Sequence, residues 1–182
     1  MSVKNLWREL PVGPSFPQII YVVVEIPKRS RNKFEYDVQG GFIKLDRVLS
    51  SSLHYPGDYG FVPQTLHDDG DPLDVLVITN EPTFSGCVIE ARPVGIFHML
   101  DRDETDDKIL AVPNTDPSFK HYRTLEDVSP HFLKEVTHFF SVYKDLEMMK
   151  VVPKGWSDTE RAYQEILHAH QNYQNYLKKS PA

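Results

Sequence analysis

Apolar residues run without alternation through "IIYVVV" (Ile19–Val24), inside a β-branched stretch, Gln18–Pro27, that proline closes. That pattern predicts a buried strand. "NKFEYDVQGGFIKLDRVL" (Asn32–Leu49) reads as two strands around Gly40-Gly41, a hairpin signal. Its period of two puts Lys33 and Glu35 on one face, with Phe34 and Tyr36 on the other. "LDVLVIT" (Leu73–Thr79) predicts a further strand. "CVIEARPVGIFHML" (Cys87–Leu100) predicts a longer one, bent or bulged near Pro93 and Gly95, and "KILAVP" (Lys108–Pro113) one more.

The period then changes. "SPHFLKEVTHFFSVYKDLE" (Ser129–Glu147) opens with Ser129 at the N-cap and Pro130 at the first helical position. Phe132, Leu133, Val136, Phe139, Phe140, Tyr143 and Leu146 form one apolar stripe. "SDTERAYQEILHAHQNYQNYLKK" (Ser157–Lys179) opens with a capping box of Ser157 and Glu160. The chain carries no repeat, low-complexity segment or linker. It reads as one domain over residues 1–182, mainly β with α: a small barrel with two main helices near the C-terminus.

Composition narrows the classes. A chain of 182 residues, 40% hydrophobic and 25% charged, suits a soluble globular domain with its own core. The formal net charge of −6 argues against nucleic acid as a partner. Cys87 is the only cysteine, which points to a reducing cytoplasm. No apolar run approaches the roughly 20 residues of a membrane span. The N-terminal residues lack the apolar centre of a secretory signal.

Charge placement carries the chemistry. Asp68, Asp69, Asp71 and Asp74 crowd into seven residues with no base among them, at the mouth of a predicted buried strand. "DRDETDDK" (Asp101–Lys108) adds five acids in the connection between two predicted strands. Two like charges 4 Å apart repel by about 1 kcal/mol in water and about 4 kcal/mol near a protein surface. If the two segments converge, they must raise carboxylate pKa values or recruit cations. Alone, the second run reads as a solvated loop. In the first, Gly70 and Pro72 shape the backbone and hold Asp74 at a strand end. Oxygen donors without histidine or cysteine at ligand spacing favour Mg²⁺, Ca²⁺ or Mn²⁺ over zinc. An EF-hand fits poorly: counted from Asp69, Leu73 and Asp74 fall where its fifth and sixth positions want an oxygen ligand and glycine, and counted from Asp101, Asp106 and Val112 fall where it wants glycine and glutamate. Carboxylate-held metals ringed by lysine and arginine are the recurring design for phosphoryl transfer. Two rivals are a non-catalytic Ca²⁺- or Mg²⁺-binding barrel and an OB-like module for single-stranded nucleic acid. Both leave Lys33, Arg47, Tyr143 and Lys144 without a joint purpose.

"DGDPLDVLV" (Asp69–Val77) resembles the signature of soluble family I inorganic pyrophosphatases. "VEIP", "NKFEYD", "LDRVL", "YPGDYGFVPQTL", "RPVGIFHMLD", "DDKILAVP", "HFFSVYKDLE" and "KGW" extend the resemblance over nearly the whole chain, in order. It implies a highly twisted, five-stranded, OB-like barrel with flanking helices, and hydrolysis of pyrophosphate to two phosphates. It implies Mg²⁺, several ions per site, with Mn²⁺ or Zn²⁺ as substitutes. Asp69, Asp74 and Asp106 would hold the first metal, with Asp74 shared by the second. Asp101, with Asp106, would bind metals that arrive with substrate, and Glu25 and Glu35 would act through water. Asp71 would orient the attacking water and take its proton, with Tyr59 as a partner of the nucleophile site. Lys33, Arg47, Lys108, Tyr143 and Lys144 would bind the two phosphates. The short chain is similar to bacterial and archaeal members and so implies a homo-oligomer, with a hexamer favoured. Glu104 stands where many members have glycine. His138 matches a position of subunit contact in bacterial relatives, some of which carry a second histidine where Val142 stands. The other seven histidines are assigned no chemistry.

Overall fold

Val22, Val23 and Val24 are entirely buried, because strand β1 (Ile20–Ile26) has neighbours on both edges and packing on both faces. The computed structural model describes residues 5–179. A short helix α1 (Leu6–Glu9) precedes β1. The hairpin β2 (Asn32–Asp37) and β3 (Phe42–Val48) follows, and then β4 (Asp58–Phe61) and β5 (Asp74–Val77). The long β6 (Val88–Asp101), the two-residue β7 (Glu104–Thr105), β8 (Lys108–Pro113), α2 (Pro130–Val142), β9 (Val151–Ser157) and α3 (Thr159–Lys179) complete the order.

Five strands close a ring. β1 pairs with β4, β4 with β5, β5 with β8, β8 with β6, and β6 returns to β1. Only the β5–β8 pair is parallel. β7 and β9 extend the sheet from β6, while β2–β3 forms a separate two-stranded ribbon. β6 pairs with four strands, β1, β7, β8 and β9, and its register with β8 shifts between Pro93 and Gly95, the bulge expected from the sequence.

Two strands escape the apolar pattern. β4 is "DYGF", four residues whose Asp58 and Gly60 break any alternation. Asp58 is nonetheless fully buried, accepting hydrogen bonds from Lys28 N and from Thr83 N and Oγ. β9 contains Pro153 and Gly155, which read as turn residues. It sits on the outer edge of β6, where Gly155 takes a φ of +108°.

Both helices differ at one boundary from expectation. α2 ends at Val142, and a separate 3₁₀ turn spans Asp145–Glu147. Leu146 therefore leaves the apolar stripe and is 68% exposed. At α3 the cap is Asp158, whose Oδ1 accepts the Arg161 N–H at 3.0 Å. Ser157 instead ends β9, and its hydroxyl meets His98 Nε2 at 2.9 Å. Strand pairing claims the backbone of Ser157, so the helix starts one residue later than expected.

α3 lays Ala162, Ile166, Ala169 and Tyr173 along the barrel, all buried, at the three- and four-residue spacing of one helix face. Tyr173 and Tyr176 pack on Trp7 of the same chain, so α1 is the element they cover. On the other side, Phe139 and Phe140 of α2 pack against Tyr55, Tyr59 and Phe97, and Tyr143, just past the helix end, packs on both phenylalanines. These two helix packings leave one region of the ring open beside the hairpin.

Candidate active site

The parallel β5–β8 pair aligns Asp74 with Lys108 in register. That alignment brings the loop before β5, with Asp69 and Asp71, beside the loop before β8, with Asp106. Asp101 ends β6 where the chain turns through left-handed Arg102 and Asp103 into β7. Glu25 projects from β1 and Tyr59 from β4. The hairpin supplies Lys33, Glu35 and Arg47, with Lys33 and Arg47 directly opposite each other. Tyr143 and Lys144 come from the end of α2. All these residues except Asp103 line one cavity of about 420 Å³. Every site residue expected from the sequence is therefore gathered in one place.

Ion pairs organise the walls. Lys108 Nζ donates to Asp74 Oδ2 at 2.5 Å and also to Asp106 Oδ1. Lys144 Nζ donates to Asp101 Oδ2 at 2.5 Å. Lys33 pairs with Glu35 and, at 3.2 Å, with Asp46. Arg47 joins the hairpin to the turn after α2, donating to Asp46 at 2.8 Å and to Glu147 at 2.5 Å. Asp71 N–H donates to Asp69 Oδ1 at 3.0 Å, and Glu25 Oε1 accepts the Tyr36 N–H at 2.6 Å.

Negative charge still prevails: eight carboxylates line the cavity against five cationic side chains. Burial, and then Asp74, push the Glu25 carboxyl up to about 8. Asp71 is raised by desolvation at the cavity wall and then by Asp69, Asp74, Glu35 and Asp106, although its side chain reaches open space. Asp74 is raised because burial and Asp106 outweigh Lys108 and the Tyr59 hydroxyl. Burial alone would lower Lys108, but Asp74 and Asp106 hold its ammonium well above the usual range. Burial, followed by nearby carboxylates, raises Tyr59 and Tyr143.

These groups fit divalent cations. Asp101 Oδ1 is buried with no hydrogen-bond partner. The wall acids are all hard oxygen donors, and the excess of negative charge asks for positive charge. Among the described residues, no three Asp, Glu, His or Cys side chains converge tightly enough to cage a bare ion. A divalent ion that keeps some of its own waters can span such spacing.

Three contributors escaped the sequence reading. Asp46 and Glu147 hold Arg47, and His67 lies behind Asp69. Asp46 adjoins Arg47, which was a signal of sorts. Glu147 lies far from Arg47 in the chain, and His67, two residues from Asp69, has its distant partner in Glu165.

A family model described as inorganic pyrophosphatase matches residues 22–174. An inorganic pyrophosphatase of Haloferax volcanii is 50% identical over 171 residues, 93% of this chain and 97% of that protein. One from Methanosarcina acetivorans is 52% identical over 156 residues, 86% and 93% of the two chains. The crystal structure of the Thermus thermophilus inorganic pyrophosphatase aligns with a TM-score of 0.91 at 42% identity, over 94% of this chain and 99% of that one.

Proposed function

The chain belongs to the inorganic pyrophosphatase family, and from that premise we propose that it hydrolyses pyrophosphate to two phosphates with Mg²⁺ as its metal, Mn²⁺ or Zn²⁺ substituting. The observation that carries this reading is the single cavity in which carboxylates from separate strands face a ring of lysines and an arginine. Pyrophosphate is a polyanion, and a wall with excess carboxylates repels it unless cations intervene.

Asp69, Asp74 and Asp106 would hold the first metal, and Asp74 would also serve a second. Asp101 and Asp106 would take metals that enter with substrate, and Glu25 and Glu35 would act through water. When bound, the metals shield phosphate oxygens and lower the pKa of water toward neutrality. Asp71 orients the attacking water and takes its proton. Tyr59, beside Asp74, helps fix the nucleophile's position. Lys33, Arg47, Lys108, Tyr143 and Lys144 bind phosphate oxygens and stabilise the leaving phosphate. Water attacks phosphorus directly, so no phosphoenzyme forms.

Asp71→Asn tests the assignment. It keeps the shape but cannot take a proton. Mg²⁺ binding should persist while turnover falls by roughly 10²- to 10⁴-fold, the usual contribution of a positioned base. Wild-type hydrolysis at saturating Mg²⁺ would overturn the role.

Residues 1–182 then act as one domain. Among the described residues, no helix is long and apolar enough to cross a membrane, and cytoplasm is the proposed location. The proposed assembly is a homo-oligomer, a hexamer first. Support comes from Phe42, Leu45 and Val48, which β3 leaves more than half exposed, and from the exposed His138 on α2.

A further inference from the structure

Three consecutive residues hang the acidic loop on α3. Leu66 N–H donates to the Ala169 carbonyl at 2.9 Å. Asp68 Oδ1 meets His168 Nε2 and Asn172 Nδ2, each at 3.3 Å. Between them His67 turns inward and is only 5% exposed. Its Nδ1 lies 3.7 Å from Asp69 Oδ1 and its Nε2 lies 3.7 Å from Glu165 Oε1. Glu165 is a buried residue of α3, and Arg161 Nη2 holds its other oxygen at 2.8 Å.

The His67 backbone closes the same loop. Its N–H donates to the Asp71 carbonyl at 2.7 Å, and its carbonyl accepts the Gly70 N–H at 3.0 Å. Gly70 takes a φ of +92°, which lets the chain double back. One residue thus fixes the loop in two ways, by main-chain bonds across it and by an imidazole wedged behind its first cavity-facing acid. Both 3.7 Å separations exceed a direct hydrogen bond. The ring acts as a spacer that sets how far Asp69 stands from α3.

We propose that His67 is a positioning residue, which, backed by Glu165 of α3, holds the Asp69 carboxylate in place for the metal. This rests on the metal-ligand role of Asp69 given above. Partners behind a ligand commonly change metal affinity by about 10- to 100-fold when removed. His67 lies outside the lining of the cavity, with Asp69 and Glu165 as its ion-pair neighbours, so its loss should fall on metal affinity rather than on pyrophosphate binding.

The test is direct binding of Mn²⁺ to metal-free protein without substrate, read by electron paramagnetic resonance at one fixed pH, alongside thermal midpoints and steady-state kinetics. His67→Ala is expected to weaken Mn²⁺ binding by about 10- to 100-fold. KM for pyrophosphate at saturating metal should stay near the wild-type value. His67→Gln, which keeps a polar spacer, should recover much of the affinity. Wild-type Mn²⁺ affinity in His67→Ala overturns the proposal. If that variant does not fold, Glu165→Gln decides: weakened Mn²⁺ binding supports the proposal, and unchanged binding overturns it. A wild-type protein that binds no Mn²⁺ would instead refute the metal site itself.

Discussion

Glu25 shows what the cavity does to a single group. Its carboxyl is pushed from an ordinary 4.5 up to about 8, by burial first and by Asp74 second. In the metal-free protein, the folded chain keeps a proton between those values that the unfolded chain has released. Unfolding then releases a proton, so stability falls as pH rises through this window. Below it both states are protonated, and above it the cost is complete. Thermal midpoints in chelator should therefore decline from about pH 5 to about pH 8, and Glu25→Gln should flatten the decline. An identical slope in the variant would show that another group is responsible. The thirteen expected site residues, all of which line the cavity, were legible because family motifs span them. His67 and Glu147 were not, because each acts across contacts that only the closed barrel makes: His67 with Glu165, and Glu147 with Arg47.

Among the elements, β5, β6, β8 and the hairpin announced themselves through apolar runs and the Gly40-Gly41 turn. β4 and β9 did not. β4 relies on glycine where another backbone must come close: a Cβ on Gly60 would stand 1.9 Å from the Val23 carbonyl oxygen of β1. Backbone, unlike a side-chain tip, cannot step aside. Gly60→Ala should cost at least about 1–3 kcal/mol, the range for overpacking, and lower the urea midpoint. An unchanged midpoint would mean that the β1–β4 seam opens more easily than its register suggests. The same seam carries Glu25 and Tyr59 into the cavity, so a loss of metal affinity should accompany the loss of stability. The misplaced cap at Ser157 has the same origin as the missing strands. Pairing with β6 claimed residues whose local pattern favoured another structure, and Asp158 became the cap instead.

Across the whole molecule, acid prevails both in net charge, −6, and in the cavity. Cations are thus the shared requirement of substrate entry and of the attacking water. The apolar residues that β3 exposes sit on a ribbon paired with no ring strand, and a partner subunit would cover them. Sedimentation velocity should give a mass well above 21.0 kDa, with six copies expected. A monomer at micromolar concentration would refute assembly without touching the chemistry.

The most direct measurement is phosphate release from pyrophosphate as Mg²⁺ is titrated into chelator-treated protein, with ATP and a phosphomonoester as parallel substrates. Negligible release without metal, restoration by Mg²⁺ and a strong preference for pyrophosphate are expected. Release that persists in excess chelator, or none at saturating Mg²⁺, would contradict a carboxylate-held metal as the source of the nucleophile.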